Sequence, residues 1–311
     1  MNNKAFVAIL AVGLLLTACS SSNEIKESQE MDDNYNIEHV HGLAYSSDNS
    51  IYIATHEGLI VSSNEGEKWK FAGDADLDLM GFHIQSDGTM LTSGHPGENS
   101  DLPDPVGLLE SKDNGKNWES IALKGEVDFH LLTSNESNPA TIYGVIQMES
   151  GNFESGIYKS IDKGISWDKL GVSGLPKDLH EIYALVSLSN NENVLIAGTS
   201  EGVFRSEDGG QTWKIADENR IITAISAVPN SKELISYSIT EEEAGMMKSE
   251  DNGLTWEKIS LDLGKDAVAY FAVQPNQTNK MVAVTFENNL LISSDNGLNW
   301  REVMEGGKLK N

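Results

Sequence analysis

One octapeptide, Ser-x-Asp-x-Gly-x-x-Trp, recurs six times along the chain, and its copies hold all six tryptophans. The copies are Ser62-Asn64-Gly66-Trp69, Ser111-Asp113-Gly115-Trp118, Ser160-Asp162-Gly164-Trp167, Ser206-Asp208-Gly210-Trp213, Ser249-Asp251-Gly253-Trp256 and Ser293-Asp295-Gly297-Trp300. Only the first departs from the pattern, with Asn64 in the aspartate place. Successive serines stand 49, 49, 46, 43 and 44 residues apart. A self-similar period in the forties means a repeat architecture, in which one supersecondary unit is copied and stacked.

Each octapeptide lies between two strand-like runs, so it reads as a tight turn. Ser and Asp side chains bond backbone groups two residues on. Glycine at the fifth place accepts a positive φ at little cost, and the tryptophan starts the next strand with a large apolar body and one N–H. Four strand windows fit each period: 41–45, 51–55, 59–62 and 69–72 in the first repeat, and 182–187, 194–198, 203–206 and 213–216 in the fourth. Four short strands separated by turn residues make one propeller blade. The expectation is an all-β, six-bladed β-propeller of four-stranded antiparallel blades over 36–307, with 308–311 as a tail. A seventh blade would need a hidden repeat, and no leftover stretch is long enough. Each blade is complete in its own stretch, so closure borrows no strand from the other terminus.

The six octapeptides resemble the Asp-box (BNR) repeat of sialidases, sortilin-type receptors and photosystem-assembly propellers. That resemblance implies structural hairpins and no catalytic role for the boxes.

At the N-terminus, Lys4 precedes an apolar run over 5–16 that ends in Leu16-Thr17-Ala18-Cys19. The run is too short to span a bilayer and has the form of a signal peptide, 1–18. Its end resembles a bacterial lipobox with cleavage before Cys19, the only cysteine in the chain. A single cysteine suits lipid attachment and excludes an intrachain disulfide. Two acyl chains at about 0.8 kcal/mol per buried CH₂ suffice for stable anchoring. Residues 19–35, rich in Ser, Asn, Glu and Asp, read as a flexible tether. The protein is expected as a monomer on the outer side of the cell membrane. The net charge of −26 disfavours nucleic acid as a partner.

Propeller topology sorts residues by face. The first strand of each blade lines the axis. Turns joining strands one to two and three to four, the boxes included, lie at the bottom. The other loops lie at the top, where ligands usually bind. His39, His41, His56, His83, His95, His130 and His180 all map to the top half or the axis, and six of the seven fall in blades one to three. His83 and His130 are taken as matching places on neighbouring innermost strands. Imidazole is a common ligand of divalent transition metals. His39, His41, His56, His83, His95 and His130 are therefore candidate metal ligands, with Asp128 and Glu38 as ligating or orienting carboxylates. Met80 and Met90 raise copper as an option. The bland reading of the same histidines is hydrogen bonding at buried strand ends. Insertions at 95–106 and 147–155 also lie on top, where long loops tend to carry function.

The box resemblance invites a sialidase reading, but such enzymes clamp a carboxylate with three converging arginines. This chain has only Arg205, Arg220 and Arg301, and the two that flank boxes, Arg205 and Arg301, belong to the bottom. Sialidase activity is not expected. A glycoside hydrolase of another type needs two carboxylates. The top is rich in them (Asp74, Asp76, Asp78, Glu126, Asp128, Asp178 and Glu181 among others), so their presence decides nothing. The segments His39-Val-His41-Gly, Ala54-Thr-His56-Glu-Gly58 and Ser93-Gly-His95-Pro-Gly97 resemble a family of small exported bacterial propellers that are often labelled glycosyl hydrolases. That label rests on fold likeness and implies no catalytic residue. Three functions follow as expectations: a top-face binder of ligand or partner through a His-centred metal site, a non-sialidase glycoside hydrolase, and a protein-interaction scaffold.

Overall fold

A computed structural model describes residues 31, 35–73, 76–98 and 100–310. The signal peptide, Cys19, most of the tether and Asp74 lie outside the described residues. The chain forms a six-bladed β-propeller of antiparallel sheets. The innermost strands are Val40–Tyr45, Leu77–Ile84, Leu131–Ser134, Ile182–Leu188, Ile221–Ala227 and Val268–Val273. Each contacts the next around the ring, and Val268–Val273 returns to Val40–Tyr45.

Packing explains why the middle strands are mostly apolar. In Ile51–Thr55 all five residues are buried. Ile51 and Ile53 pack toward blade six, while Tyr52 and Ala54 pack toward blade two. Side chains alternate across a strand, so a sheet sandwiched between two others needs apolar residues on both faces. The buried apolar residues accordingly fall into six clusters, one between each pair of adjacent blades.

The octapeptides form the turns between third and fourth strands. In the fourth copy Ser206 Oγ donates to Asp208 Oδ1 at 2.8 Å and accepts from Gly210 N–H at 2.8 Å. Asp208 Oδ1 also accepts from Thr212 N–H at 2.9 Å, and Trp213 Nε1–H donates to Gly210 O at 3.1 Å. The tryptophans precede the fourth strands, which begin one residue later than expected, as at Lys70–Phe71 and Lys214–Asp217.

Two domain edges move outward from the sequence reading. Lys308–Leu309, expected as tail, pairs with Arg301–Glu305 as a fifth strand of blade six. Tyr35, expected as tether, packs edge-on against Phe71 at 5.8 Å, and Met31 N–H donates to Trp69 O at 2.8 Å. Asn36 bridges to Lys308, and Ile37 N–H donates to Gly307 O at 2.9 Å, so the two ends of the fold meet.

Candidate metal centre

A channel follows the axis. It opens at the top into a basin of about 430 Å³, narrows to about 100 Å³, and widens at the bottom to about 530 Å³. A local backbone feature decides what faces the basin. Five of the six innermost strands carry a register shift near their top end, between Val40 and Gly42, Leu79 and Phe82, Ile182 and Ala184, Ile222 and Ala224, and Val268 and Tyr270. A bulge leaves a residue unpaired and re-aims its side chain. His41, Met80, Tyr183, Thr223 and Ala269 occupy these bulges, and with His130 they line the basin.

His41 Nε2 lies 3.2 Å from His56 Nε2, and their rings meet edge-on with centroids 4.4 Å apart. His39 stands beside them, its ring 5.0 Å from that of His56. His56 Nδ1 is 2.8 Å from Asp78 Oδ1. The buried Asp78 Oδ1 nevertheless has no donor aligned on it as a hydrogen bond. One ligand atom each from His41, His56 and Asp78 fall within 4.8 Å of one another. Burial pushes the His41 imidazole down to about 4, the neighbouring His56 pushes the same way, and Asp78 pulls against them. His41 is therefore neutral at pH 7 and has a lone pair to offer.

On the adjoining side, His95 Nε2 and His130 Nδ1 each lie 3.4 Å from Asp128 Oδ2. Asp128 is 8% exposed, and burial raises its carboxyl above the usual range against the pull of His130 and His95. His95 Nδ1 bonds Asp104 Oδ1 at 2.6 Å. Burial by itself would lower His95, but Asp104 and Asp128 outweigh it and raise the imidazole.

The structure brings together His39, His41, His56, His95 and His130, and separates His83 from them. His83 is not level with His130. Gln85 and Asn135 close equivalent turns, through bonds of 2.8 and 2.9 Å to Thr89 O and Thr141 O, so counting back two residues puts His83 beside Thr133. Its Nε2 lies 2.9 Å from Ser134 Oγ, it lines the bottom basin, and burial lowers it to about 4. Met90 also lines the bottom basin and is 1% exposed, so it is no ligand for the top cluster, whereas Met80 sits at the top. His180 pairs with Asp178 at 2.8 Å on the basin rim. Glu38 lines the same rim, its backbone carbonyl accepting from Asn288 Nδ2.

Sequence reasoning missed Asp104, placed by the 95–106 insertion, and missed the specific partnership of Asp78 with His56. No spacing rule links residues 56 and 78. It also missed Phe286, a 60% exposed aromatic on the basin. The three arginines do not converge: Arg205 Nη1 donates to Asn252 O, Arg301 Nη2 to Glu65 O, and Arg220 Nε pairs with Asp217. No helix among the described residues is long and apolar enough to cross a membrane.

No protein-family model matches the chain. Among curated proteins it is 28% identical over 173 residues to one described as "Probable oligoxyloglucan-reducing end-specific xyloglucanase" from Neosartorya fischeri, covering 50% of this chain and 20% of that protein. Among solved structures it is similar to the GH74 enzyme of Niastella koreensis, with a TM-score of 0.60 and 14% identity over 86% of this chain and 45% of the other. It is also similar to YCF48 from Cyanidioschyzon merolae, with a TM-score of 0.51 and 19% identity over 91% and 90% of the two chains. The chain thus spans less than half the length of the GH74 enzyme. At these identities the likeness shows the β-propeller fold and nothing finer.

Proposed function

We propose that the protein is a membrane-anchored β-propeller that binds a divalent transition metal on its top face through His41, His56 and Asp78. The observation that carries this reading is the convergence of their ligand atoms within 4.8 Å. The chemistry is consistent with it. Nitrogens bound at about 2.0–2.1 Å around one tetrahedral metal lie roughly 3.3–3.4 Å apart, close to the 3.2 Å between His41 Nε2 and His56 Nε2. A metal between them would also supply Asp78 Oδ1 with the positive partner that no aligned N–H or O–H gives. His41 is neutral without any metal, so binding need not displace a proton from it.

The full chain, stripped with chelator and then exposed to zinc, should retain at least one equivalent by elemental analysis. His41→Ala/His56→Ala should weaken that binding by about 10-fold or more while the circular dichroism spectrum stays unchanged. Retention no better than that of the double variant would overturn the assignment.

The anchor is the second part of the proposal. It is supported by Lys4, the apolar run over 5–16 and Leu16-Thr17-Ala18-Cys19. Cys19→Ser should move the protein from the membrane pellet to the soluble fraction of expressing bacterial cells. An unchanged pellet fraction would count against lipidation at this residue.

A glycoside hydrolase of non-sialidase type is the competing reading, and one observation favours it: the 173-residue stretch shared with the xyloglucanase-like protein. Tyr183 and Phe286 are exposed aromatics at the basin, against which a sugar ring could stack. Chelator-insensitive release of reducing ends from xyloglucan oligosaccharides would shift the conclusion to that reading.

A further inference from the structure

We infer that the bottom face of the propeller rests on the lipid bilayer through the tips of its octapeptide hairpins, which turns the top face away from the membrane. This docking rests on the reading of Cys19 as a lipid anchor and is independent of the metal site.

The path of the chain gives the direction. Met31 N–H donates to Trp69 O, at the bottom of blade one where the octapeptide ends. From there the chain climbs the edge of the blade. Tyr35 packs on Phe71, Asn36 bridges to Lys308, and Ile37 N–H donates to Gly307 O, in the turn between Arg301–Glu305 and Lys308–Leu309. Val40 then enters the innermost strand from the top. Followed backwards, the same path leaves the fold downward. The twelve residues after Cys19 up to Met31 span at most about 43 Å. A lipid at Cys19 therefore holds the bottom edge near the bilayer.

The hairpin tips supply the contact. The sixth place of the octapeptide is exposed in all six copies, and holds Glu67, Lys116, Ile165, Gln211, Leu254 and Leu298. Turn chemistry makes no demand there, since the hairpin closes with the same aspartate bond behind Lys116, Gln211 and Leu254. Ile165, Leu254 and Leu298 are nevertheless 68%, 67% and 61% exposed, and Ile161 in the same hairpin as Ile165 is 70% exposed. Single exposed apolar residues are ordinary. These three occupy one place in a hairpin repeated about one axis, on blades three, five and six, so they stand at one level and define a plane across the ring. A bilayer is a flat surface wide enough to meet all three, and apolar side chains gain by entering its headgroup boundary.

The net charge of −26 works against an anionic surface, but acids in these hairpins are compensated. Glu65 pairs with Lys280, Glu207 with Arg205 and Glu250 with Lys248. Lys163, exposed between Ile161 and Ile165, can hold its ammonium at the lipid phosphates while its stem lies along apolar surface.

Depth-dependent quenching tests the orientation. The lipid occupies Cys19, so an introduced cysteine is the free thiol for a fluorophore. Ile165→Cys and Leu298→Cys report on the bottom, and Met148→Cys on the top insertion; all three side chains are exposed. Each full chain, purified with its lipid, is reconstituted into phosphatidylcholine vesicles that contain a nitroxide-labelled lipid. The expected result is protein that floats with the vesicles, loses fluorescence at 165 and 298, and keeps it at 148. Adding Leu254→Glu and Leu298→Glu to the Ile165→Cys chain should restore the lost signal. Protein that floats but is unquenched at 165 and 298, or is quenched equally at 148, overturns the docking and leaves the anchor standing. Quenching that survives both glutamates overturns the role of the apolar tips. Protein that does not float removes the anchor, and the docking with it.

Discussion

At the residue scale, one side chain does several jobs at each octapeptide turn. The serine hydroxyl both donates and accepts, which ties the aspartate to the glycine N–H across the turn. The seventh residue completes the arrangement: Thr212, Thr255 and Ser166 hydroxyls and Asn117 and Asn299 amides donate to the second aspartate oxygen. The first copy has Asn64 and Lys68 at the two places, and there Asn64 Oδ1 accepts from Ser62 Oγ and from Lys68 N–H, both at 2.9 Å. Ser206→Ala leaves the Gly210 N–H without its acceptor in a buried position, and should cost about 1–3 kcal/mol in denaturant unfolding.

The same bonds set an acid limit. Donors from Ser166, Thr212 and Thr255 hold Asp162, Asp208 and Asp251 at about 2, below the unfolded value of about 3.9. A depressed carboxyl contributes stability above its unfolded pKa and loses it as pH falls toward the folded one. Stability should therefore drop between about pH 4 and pH 2. His83 behaves similarly in a higher window. Burial holds it at about 4 against about 6.5 unfolded, so the unfolded chain takes up the proton first and stability falls as pH drops from about 6.5 to 4. His41, held at about 4 as well, adds to the same step, so His83→Gln should shrink the upper step in a pH series of unfolding midpoints without abolishing it, and leave the lower one. A wild type without the lower step would contradict the role given to the aspartates.

At the element scale, bulges and one glycine place the site. A regular innermost strand would alternate side chains between the two neighbouring blades. The shift between Val40 and Gly42 instead releases His41 to the basin. In blade two, Gly94 pairs with Leu79 at a φ of +130°, and a Cβ there would meet Asp78 O at 2.1 Å. Gly94 thus lets the strand that carries His95 approach the strand that carries Asp78. Gly94→Ala should destabilise the fold by about 1–3 kcal/mol and weaken zinc retention as Asp78 is displaced. A variant with wild-type stability and zinc content would show that the close approach is dispensable.

At the scale of the whole molecule, closure is made by apolar packing, side-chain contacts and one main-chain bridge, with no exchange of strands among the described residues. Ile37, Val40 and Leu43 of the first blade share one cluster with Val282, Leu290 and Met304 of the last. Gln277 Nε2 reaches Asn49, Lys280 pairs with Glu65 at 2.8 Å, and Asn36 bridges to Lys308. The repeat made six blades legible in the sequence, because turn chemistry is local: Ser, Asp, Gly and Trp at fixed offsets dictate the same hairpin wherever they occur. Strand windows were legible to within a few residues for the related reason that middle strands are apolar on both faces. The top-face histidines were legible as a group, because blade order sorts residues by face. Which of them meet was not. His56 and Asp78, or His95 and Asp104, are joined by loops whose paths no periodicity encodes, and His83 was matched to His130 although it stands two residues before its turn where His130 stands five. Sequence alone determined the unit, its number and its turns, since those rest on contacts a few residues long. Only the tertiary structure decided which imidazoles and carboxylates share a space, since that depends on six separate strands converging on one axis.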